Sequence, residues 1–183
     1  MSSRNKDSRA APTGRSQLEI GCQGWNYDDW VTPAGAGGTV FYPRGTRAAD
    51  MLGAYARLFE TIEVDSTFYA VPSAATIENW KTRTPDDFTF SLKLPQAITH
   101  EHALRGEAAA RVLSEFCERV RGLGDKLAAV LIQFPPQFAP TLENVGRLRE
   151  FLPLLPREMR FAVEFRDAGW FDEATAELFA RRT

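Results

Sequence analysis

Three carboxylates occupy positions where they could do chemistry together. Glu63 and Asp65 lie two positions apart at the end of a short apolar segment, and Glu164 ends a later one. Side chains two positions apart on a strand share a face, so Glu63 and Asp65 are neighbours if this segment is a strand. Paired carboxylates suit general acid/base work, since one can hold a proton for the other, and their oxygens also suit a divalent cation. We therefore predict these three as catalytic residues, with a divalent metal as the candidate cofactor.

Lys93 and His100 could take part in the same chemistry. Lys93 ends another apolar segment and could stabilise developing negative charge or bind phosphate. The alternative role of Lys93 is structural, as the partner of Glu63 or Asp65 in a salt bridge. His100 and His102 form an H-x-H pair in the loop that follows. Because zinc usually needs a third protein ligand, we interpret His100 as a catalytic acid/base candidate rather than as part of a metal site.

Aromatic and polar side chains follow the same segments and could contact a substrate. Trp25, Tyr69 and Trp170 could stack on a sugar or a base, or could instead anchor loops to the rim of the fold. Gln133 and Arg166 lie at the ends of two further segments. We predict these five as substrate-binding residues.

The elements that must position these residues alternate regularly along the chain. The predicted strands are Leu18–Cys22, Thr61–Asp65, Asp87–Lys93, Leu127–Gln133 and Met159–Phe165. The predicted helices are 47–60, 74–83, 107–122, 141–152 and 172–182. Alternation of this kind favours parallel strands with helical crossovers. The loop after the first strand has no G-x-G-x-x-G and the chain has no Walker motif, which argues against a Rossmann or P-loop site.

The pattern within the strands favours a barrel over an open sheet. In the second strand Thr61, Glu63 and Asp65 oppose Ile62 and Val64. A doubly wound sheet is covered on both faces, so its strands read as continuous apolar runs. In a barrel, polar residues at the carboxyl ends of the strands face the mouth, where barrel enzymes place their chemistry. We therefore predict an α/β fold, a (β/α) TIM-type barrel with about five of eight βα units. The alternative role of the polar residues is an internal ion-pair network.

Composition bounds the class of protein. The 183 residues are 44% hydrophobic and 25% charged, which is ordinary for a globular domain and excludes collagen and bulk disorder. The net charge of −2 is not the strongly positive charge that is typical of nucleic-acid-binding proteins.

Residues 1–17 carry four basic residues against one acidic residue and are predicted to be a disordered tail. That tail is no secretory signal, and no apolar run reaches the about 20 residues of a membrane span. Cys22 and Cys117 are interpreted as reduced packing residues, so we expect a cytoplasmic protein without membrane partners.

Five ordered blocks covering about residues 18–182 resemble the YecE-like family, domain of unknown function 72. They include Gly21-Cys22-Gln23-Gly24-Trp25, Thr61-Ile62-Glu63-Val64-Asp65, Phe90-Ser91-Leu92-Lys93-Leu94-Pro95 with His100, Gln133-Phe134-Pro135-Pro136 and Phe161-Ala162-Val163-Glu164-Phe165-Arg166. The resemblance implies a TIM-type barrel of unassigned activity and makes His100 a better candidate than His102. It also implies three further strands, so residues 18–183 are expected to be the first five βα units of a truncated barrel. Cys22-Gln23 departs from the small hydroxylated pair that the family leads us to expect.

Three functional hypotheses follow from these observations. The first is a hydrolase- or isomerase-type barrel enzyme acting on a polar sugar- or phosphate-containing substrate. The second is a nucleic-acid-binding or processing barrel, suggested by the basic tail, Lys93, Arg166 and the aromatic residues. The third is an inactive truncated fragment, whose open sheet edges we expect to cause self-association.

Overall fold

Four parallel strands form the sheet in the part of the chain that the computed structural model describes, residues 18–38 and 40–180. The strands are β1 (Thr61–Val64), β2 (Thr89–Lys93), β3 (Leu127–Gln133) and β4 (Phe161–Glu164), and they lie side by side in chain order. The predicted tail 1–17 and the end of the last predicted helix lie outside the described residues. The alternation of strand and helix therefore gives a parallel α/β fold, as the sequence predicts.

Helices connect the successive strands. They are α1 (Ala48–Tyr55), α2 (Ser66–Tyr69), α3 (Ala74–Thr82), α4 (Gly106–Val120), α5 (Leu142–Phe151) and α6 (Glu173–Ala180). A π-helical turn, Ala97–Glu101, follows β2. The side chains of Ser73 and Thr141 cap α3 and α5 by accepting the backbone N–H three residues on, which satisfies a donor that the helix itself leaves free.

Only one face of the sheet is fully buried against the helices. Ile62, Val64, Phe90, Leu92 and Val130 point to the helix side and are fully buried. The opposite side chains are partly exposed, and Ala162 of β4 is exposed. This asymmetry is what the alternating pattern predicts. The four strands do not close into a barrel within the described residues, so the closed TIM-type barrel of eight units remains a prediction.

The prediction of a first strand at Leu18–Cys22 is wrong. The end of this segment meets β1 in an isolated parallel bridge between Gln23 and Glu63, in which Glu63 N–H donates to Cys22 O and Gly24 N–H donates to Glu63 O. Leu18 and Ile20 are 80% and 63% exposed, so the alternation that predicted the strand has no core to pack against. Gly21 allows the close approach, because a Cβ atom there would lie 2.1 Å from the carbonyl oxygen of Thr61.

A buried lysine ties α3 to the start of β3. Lys126 is buried, and its ammonium donates to the carbonyl oxygens of Lys81 and Thr84 at 2.7 and 2.8 Å. It also donates to the Thr84 hydroxyl at 3.2 Å. Three acceptors satisfy the three ammonium hydrogens, which is the condition under which a lysine can be buried.

An apolar cleft of about 420 Å³ lies beside β4, the last strand of the sheet. It is lined by Leu152, Leu155, Arg157, Met159, Phe161, Val163 and Phe179. A second cleft of about 530 Å³ lies at the amino ends of the strands, beside the Arg121–Glu158 ion pair. Both are remote from the residues predicted to do chemistry. None of the helices in the described ranges is long and apolar enough to cross a membrane.

Candidate functional site

The polar cluster predicted at the carboxyl ends of the strands forms in the structure. Glu63 in β1 pairs with Ser91 in β2, and this register places Lys93, two residues further on, beside the end of β1. The ammonium of Lys93 lies 3.0 Å from Glu63 Oε1 and 2.7 Å from Asp65 Oδ1. Asp65 lies just beyond β1, yet its side chain joins that of Glu63. Of the two roles open to Lys93, the structure shows the salt bridge, and to both carboxylates at once.

Solvent access differs within this first cluster. The Lys93 side chain is 11% exposed, whereas each carboxylate is 36% exposed. Burial works against the charged form of Lys93, but the hydrogen bonds and charges of Asp65 and Glu63 outweigh it and raise the pKa of the ammonium above its ordinary value. Lys93 therefore stays charged and cannot serve as a base at neutral pH.

Gln23 is a site residue that the sequence reasoning missed. Its amide Nε2 donates to Glu63 Oε1 at 3.0 Å and to Asp65 Oδ1 at 2.7 Å. These are the same two oxygens that Lys93 contacts. The departure of the Cys22-Gln23 pair from the expected family pattern was the signal that could have directed attention to it.

A second cluster lies at the ends of β3 and β4. Gln133 Nε2 donates to Glu164 Oε2 at 2.7 Å, and Arg166 Nε donates to Glu164 Oε1 at 3.0 Å. Burial alone would raise the pKa of Glu164, but these two hydrogen bonds, with the charges of Arg166 and Lys93, lower it below its ordinary value. Glu164 therefore stays ionised at neutral pH, and both of its oxygens are engaged. This suits an electrostatic role better than proton transfer.

His100 lies on the π-helical turn and is half-buried. Its Nδ1 lies 2.8 Å from the Thr99 hydroxyl, which can serve either tautomer, and its ring meets Phe68 edge-on at 5.0 Å. Burial, and then the positive charge of Arg166, lower the pKa of His100 below 6.5. The imidazole is therefore neutral at pH 7. Nε2 makes no hydrogen bond to the described part of the chain and is free to act as a base.

The backbone after this turn is unusual. Ala103 and Leu104 have φ values of 45° and 66°, a region that side chains other than glycine adopt infrequently. π-Helical turns and such backbone conformations concentrate at functional sites. The sequence does not predict this turn.

The three predicted aromatic residues have different surroundings. Tyr69 is 72% exposed and available to a ligand. Trp25 is partly buried and packs edge-on against Trp80 at 5.9 Å. Trp170 is 2% exposed, donates from Nε1 to the Phe138 carbonyl oxygen at 2.6 Å and stacks on neighbouring rings. Its position corresponds to the loop-anchoring alternative, whereas Tyr69 and Trp25 remain able to contact a substrate.

A small cleft lies beside the first cluster. Its volume is about 240 Å³, and its lining is Gly24, Trp25, Asn26, Tyr27, Val64, Asp65 and Ser66. Gly24 has a φ of 75°, and a Cβ atom there would lie 2.6 Å from the Tyr27 hydroxyl, so glycine lets the Tyr27 ring reach this position. That hydroxyl donates to the Gln23 carbonyl oxygen at 2.7 Å, which fixes Tyr27 at the cleft.

Within the described residues, the carboxylates and histidines do not form a cluster of metal ligands. Across residues 18–38 and 40–180, no three His, Cys, Asp or Glu side chains come together as a metal site requires. The Lys93 ammonium also takes the position between Glu63 and Asp65 that a cation would need. Within the described part of the chain, no hydrogen bond or ion pair involves Glu63 Oε2 or Asp65 Oδ2, so each carboxylate keeps one oxygen for a ligand.

The fold and these clusters define a parallel α/β protein with a polar site at the carboxyl ends of its strands. The model of the family described as protein of unknown function DUF72 matches residues 19–183. The chain therefore belongs to the DUF72 family.

The relatives confirm this assignment and extend beyond the chain. The UPF0759 protein YecE of Escherichia coli K12 is 30% identical over 165 residues, 90% of this chain and 54% of its own length. YunF of Bacillus subtilis, also UPF0759, is 33% identical over 160 residues, 84% of this chain and 52% of its own. The chain thus spans about half the length of the curated relatives it matches.

Solved structures of the same family agree with the fold. A DUF72 family protein from Thermotoga maritima superposes with a TM-score of 0.72 at 29% identity, covering 89% of this chain and 61% of its own. One from Enterococcus faecalis gives 0.61 at 25% identity, covering 74% and 49%.

Proposed function

We propose that the chain supplies part of an acid/base site at the mouth of a (β/α) barrel that acts on a polar sugar- or phosphate-containing substrate. The reaction is of the hydrolase or isomerase type. The observation that carries the proposal is the free oxygen on each of Glu63 and Asp65. Lys93 and Gln23 hold the other oxygen of each carboxylate, so the free pair is oriented before a ligand arrives.

The proposed roles follow from charge and contacts. Glu63 and Asp65 accept or return a proton at their free oxygens, and neutral His100 acts as a further base through Nε2. Lys93 holds the carboxylates and offers positive charge close to the reacting atoms. Glu164, fixed by Gln133 and Arg166, stays ionised and stabilises developing positive charge.

The test is turnover by the full chain on a panel of p-nitrophenyl glycosides and sugar phosphates. Glu63→Gln, Asp65→Asn and His100→Gln should each lower kcat/KM by about 10²- to 10⁴-fold, the usual worth of a general acid or base. Glu158→Gln is the matched control, because Glu158 is likewise an ion-paired carboxylate, here with Arg121, but lies at the amino ends of the strands. No turnover by the wild-type chain, or equal activity in all four variants, would contradict the proposal.

A further inference from the structure

We infer that this mouth selects an uncharged, hydroxyl-bearing ring, one sugar unit in size, and rejects phosphorylated compounds. The inference rests on the proposed function, because it names the substrate class of the same site. Three independent features of the mouth support it: its charge, its free polar atoms and the shape of the adjoining cleft.

The charges of the mouth disfavour an anion. Three carboxylates face two cationic side chains, and each cation is already paired: Lys93 with Glu63 and Asp65, and Arg166 with Glu164. A phosphate would approach a net negative site, where Glu63, Asp65 and Glu164 already neutralise the two cations. Phosphate sites instead carry an excess of positive charge or several unengaged backbone N–H groups.

The free polar atoms at the first cluster are acceptors. Glu63 Oε2 and Asp65 Oδ2 need hydrogen-bond donors, and the donors nearby, Lys93 Nζ and Gln23 Nε2, are engaged with the other oxygens. Hydroxyl groups supply such donors, whereas a phosphate dianion has none. Because Lys93 and Gln23 each contact both carboxylates, the two acceptors belong to one cluster and suit a ligand with more than one hydroxyl.

The adjoining cleft has the size and lining for one ring. Its volume of about 240 Å³ is below the roughly 300–1,000 Å³ of sites for drug-sized ligands. Trp25 and Tyr27 offer aromatic surface and Asp65 a carboxylate in the same lining. A sugar ring presents C–H groups on its faces and hydroxyls at its edge, so it can pack on an aromatic ring and donate to Asp65 together.

The first experiment uses matched pairs of ligands. Saturation-transfer NMR on the full chain would compare glucose, mannose, galactose and N-acetylglucosamine with the 6-phosphate of each. At least one neutral sugar should bind, and its phosphate should bind at least tenfold more weakly. Tyr27→Ala should abolish the signal, whereas Phe171→Ala, which removes an exposed ring outside the cleft, should leave it unchanged. A phosphate bound more tightly than its parent sugar, or no neutral sugar bound, would overturn the inference.

The second experiment measures inorganic phosphate directly. Wild-type chain titrated with phosphate should show no saturable shift of the His100 or Tyr69 resonances. Glu164→Gln, which releases Arg166 from its ion pair, should raise phosphate affinity at least fivefold. Millimolar phosphate binding by the wild type would contradict the inference.

The two proposals can fail separately. Binding of neutral sugars without any turnover would refute the proposed function and leave the selectivity standing. Turnover of a sugar phosphate that depends on Glu63 would leave the acid/base site standing and refute the selectivity.

Discussion

Replacing Lys93 by methionine should destabilise the fold by leaving two adjacent carboxylates without their shared cation. Removing one partner of a buried ion pair costs about 3–5 kcal/mol, whereas a surface pair is worth at most about 1 kcal/mol. The Lys93 side chain is 11% exposed but Glu63 and Asp65 are each 36% exposed, so water screens part of the loss. We therefore expect the free energy of unfolding to fall by about 2 kcal/mol.

Urea denaturation followed by circular dichroism measures this change. With a slope of about 2 kcal/mol per molar urea, the midpoint should fall by about 1 M at an unchanged slope. Lys81→Met is the matched control, since Lys81 lies exposed on α3 and should change the free energy by less than about 0.5 kcal/mol.

A rescue variant separates the lost ion pair from lost packing. Adding Glu63→Gln and Asp65→Asn to Lys93→Met removes the uncompensated charges, so at least half of the lost stability should return. If Lys93→Met costs no more than Lys81→Met, or if the triple variant is the least stable of all, the reasoning about this cluster is refuted.

Five further outcomes are expected. The imidazole of His100 should titrate by NMR below pH 6.5, because burial and Arg166 lower its pKa; Arg166→Gln should raise the midpoint only in part, since burial is the larger cause. Because the unfolded chain takes up this proton first, His100 should cost stability as the pH falls through 6.5, and the cost should level off below the folded pKa. Lys126→Met should lower the free energy of unfolding by roughly 2 kcal/mol, because it leaves buried acceptors unsatisfied. Trp170→Ala should cost about 3–5 kcal/mol, whereas Tyr69→Ala should cost less than about 0.5 kcal/mol while weakening ligand binding. Sedimentation should show self-association of the chain through its uncovered sheet face and the apolar cleft beside β4.

Two of these expectations have matched control variants. Lys81→Met is again the control for Lys126→Met. Phe171→Ala is the control for Trp170→Ala, because Phe171 is the next residue in the chain and its ring is exposed. A His100 midpoint above 6.5, a Trp170→Ala variant as stable as its control, or a sharp monomeric boundary with cooperative unfolding would each contradict the corresponding expectation.

Local patterns predicted most of the helices and strands because each pattern matches one buried face. The bounds of Leu127–Gln133 agree with the prediction, and α3 and α5 lie within a residue or two of theirs. The contact of Lys93 with Glu63 and Asp65 could also be anticipated, since the strands that carry them are neighbours and these side chains share a face.

The remaining features depend on contacts that no local pattern encodes. Leu18 and Ile20 alternate as a strand would, but alternation cannot show whether a surface is present to bury them. Gln23 reaches carboxylates about forty positions away, from a segment that makes only one bridge to the sheet. Trp170 and Tyr69 both follow strands, and only the packed structure shows that one is buried and the other exposed.

Each carboxylate of the mouth has at least one donor on the strand that is next to its own both in the sheet and in the chain. Glu63 and Asp65 of the β1 end meet Lys93 of β2, and Glu164 of β4 meets Gln133 of β3. Chains generally fold from the amino end as they are synthesised. A nascent chain can therefore build this mouth in two steps, β1 with β2 and then β3 with β4. In each step the carboxylate and its donor on the neighbouring strand have both been synthesised already.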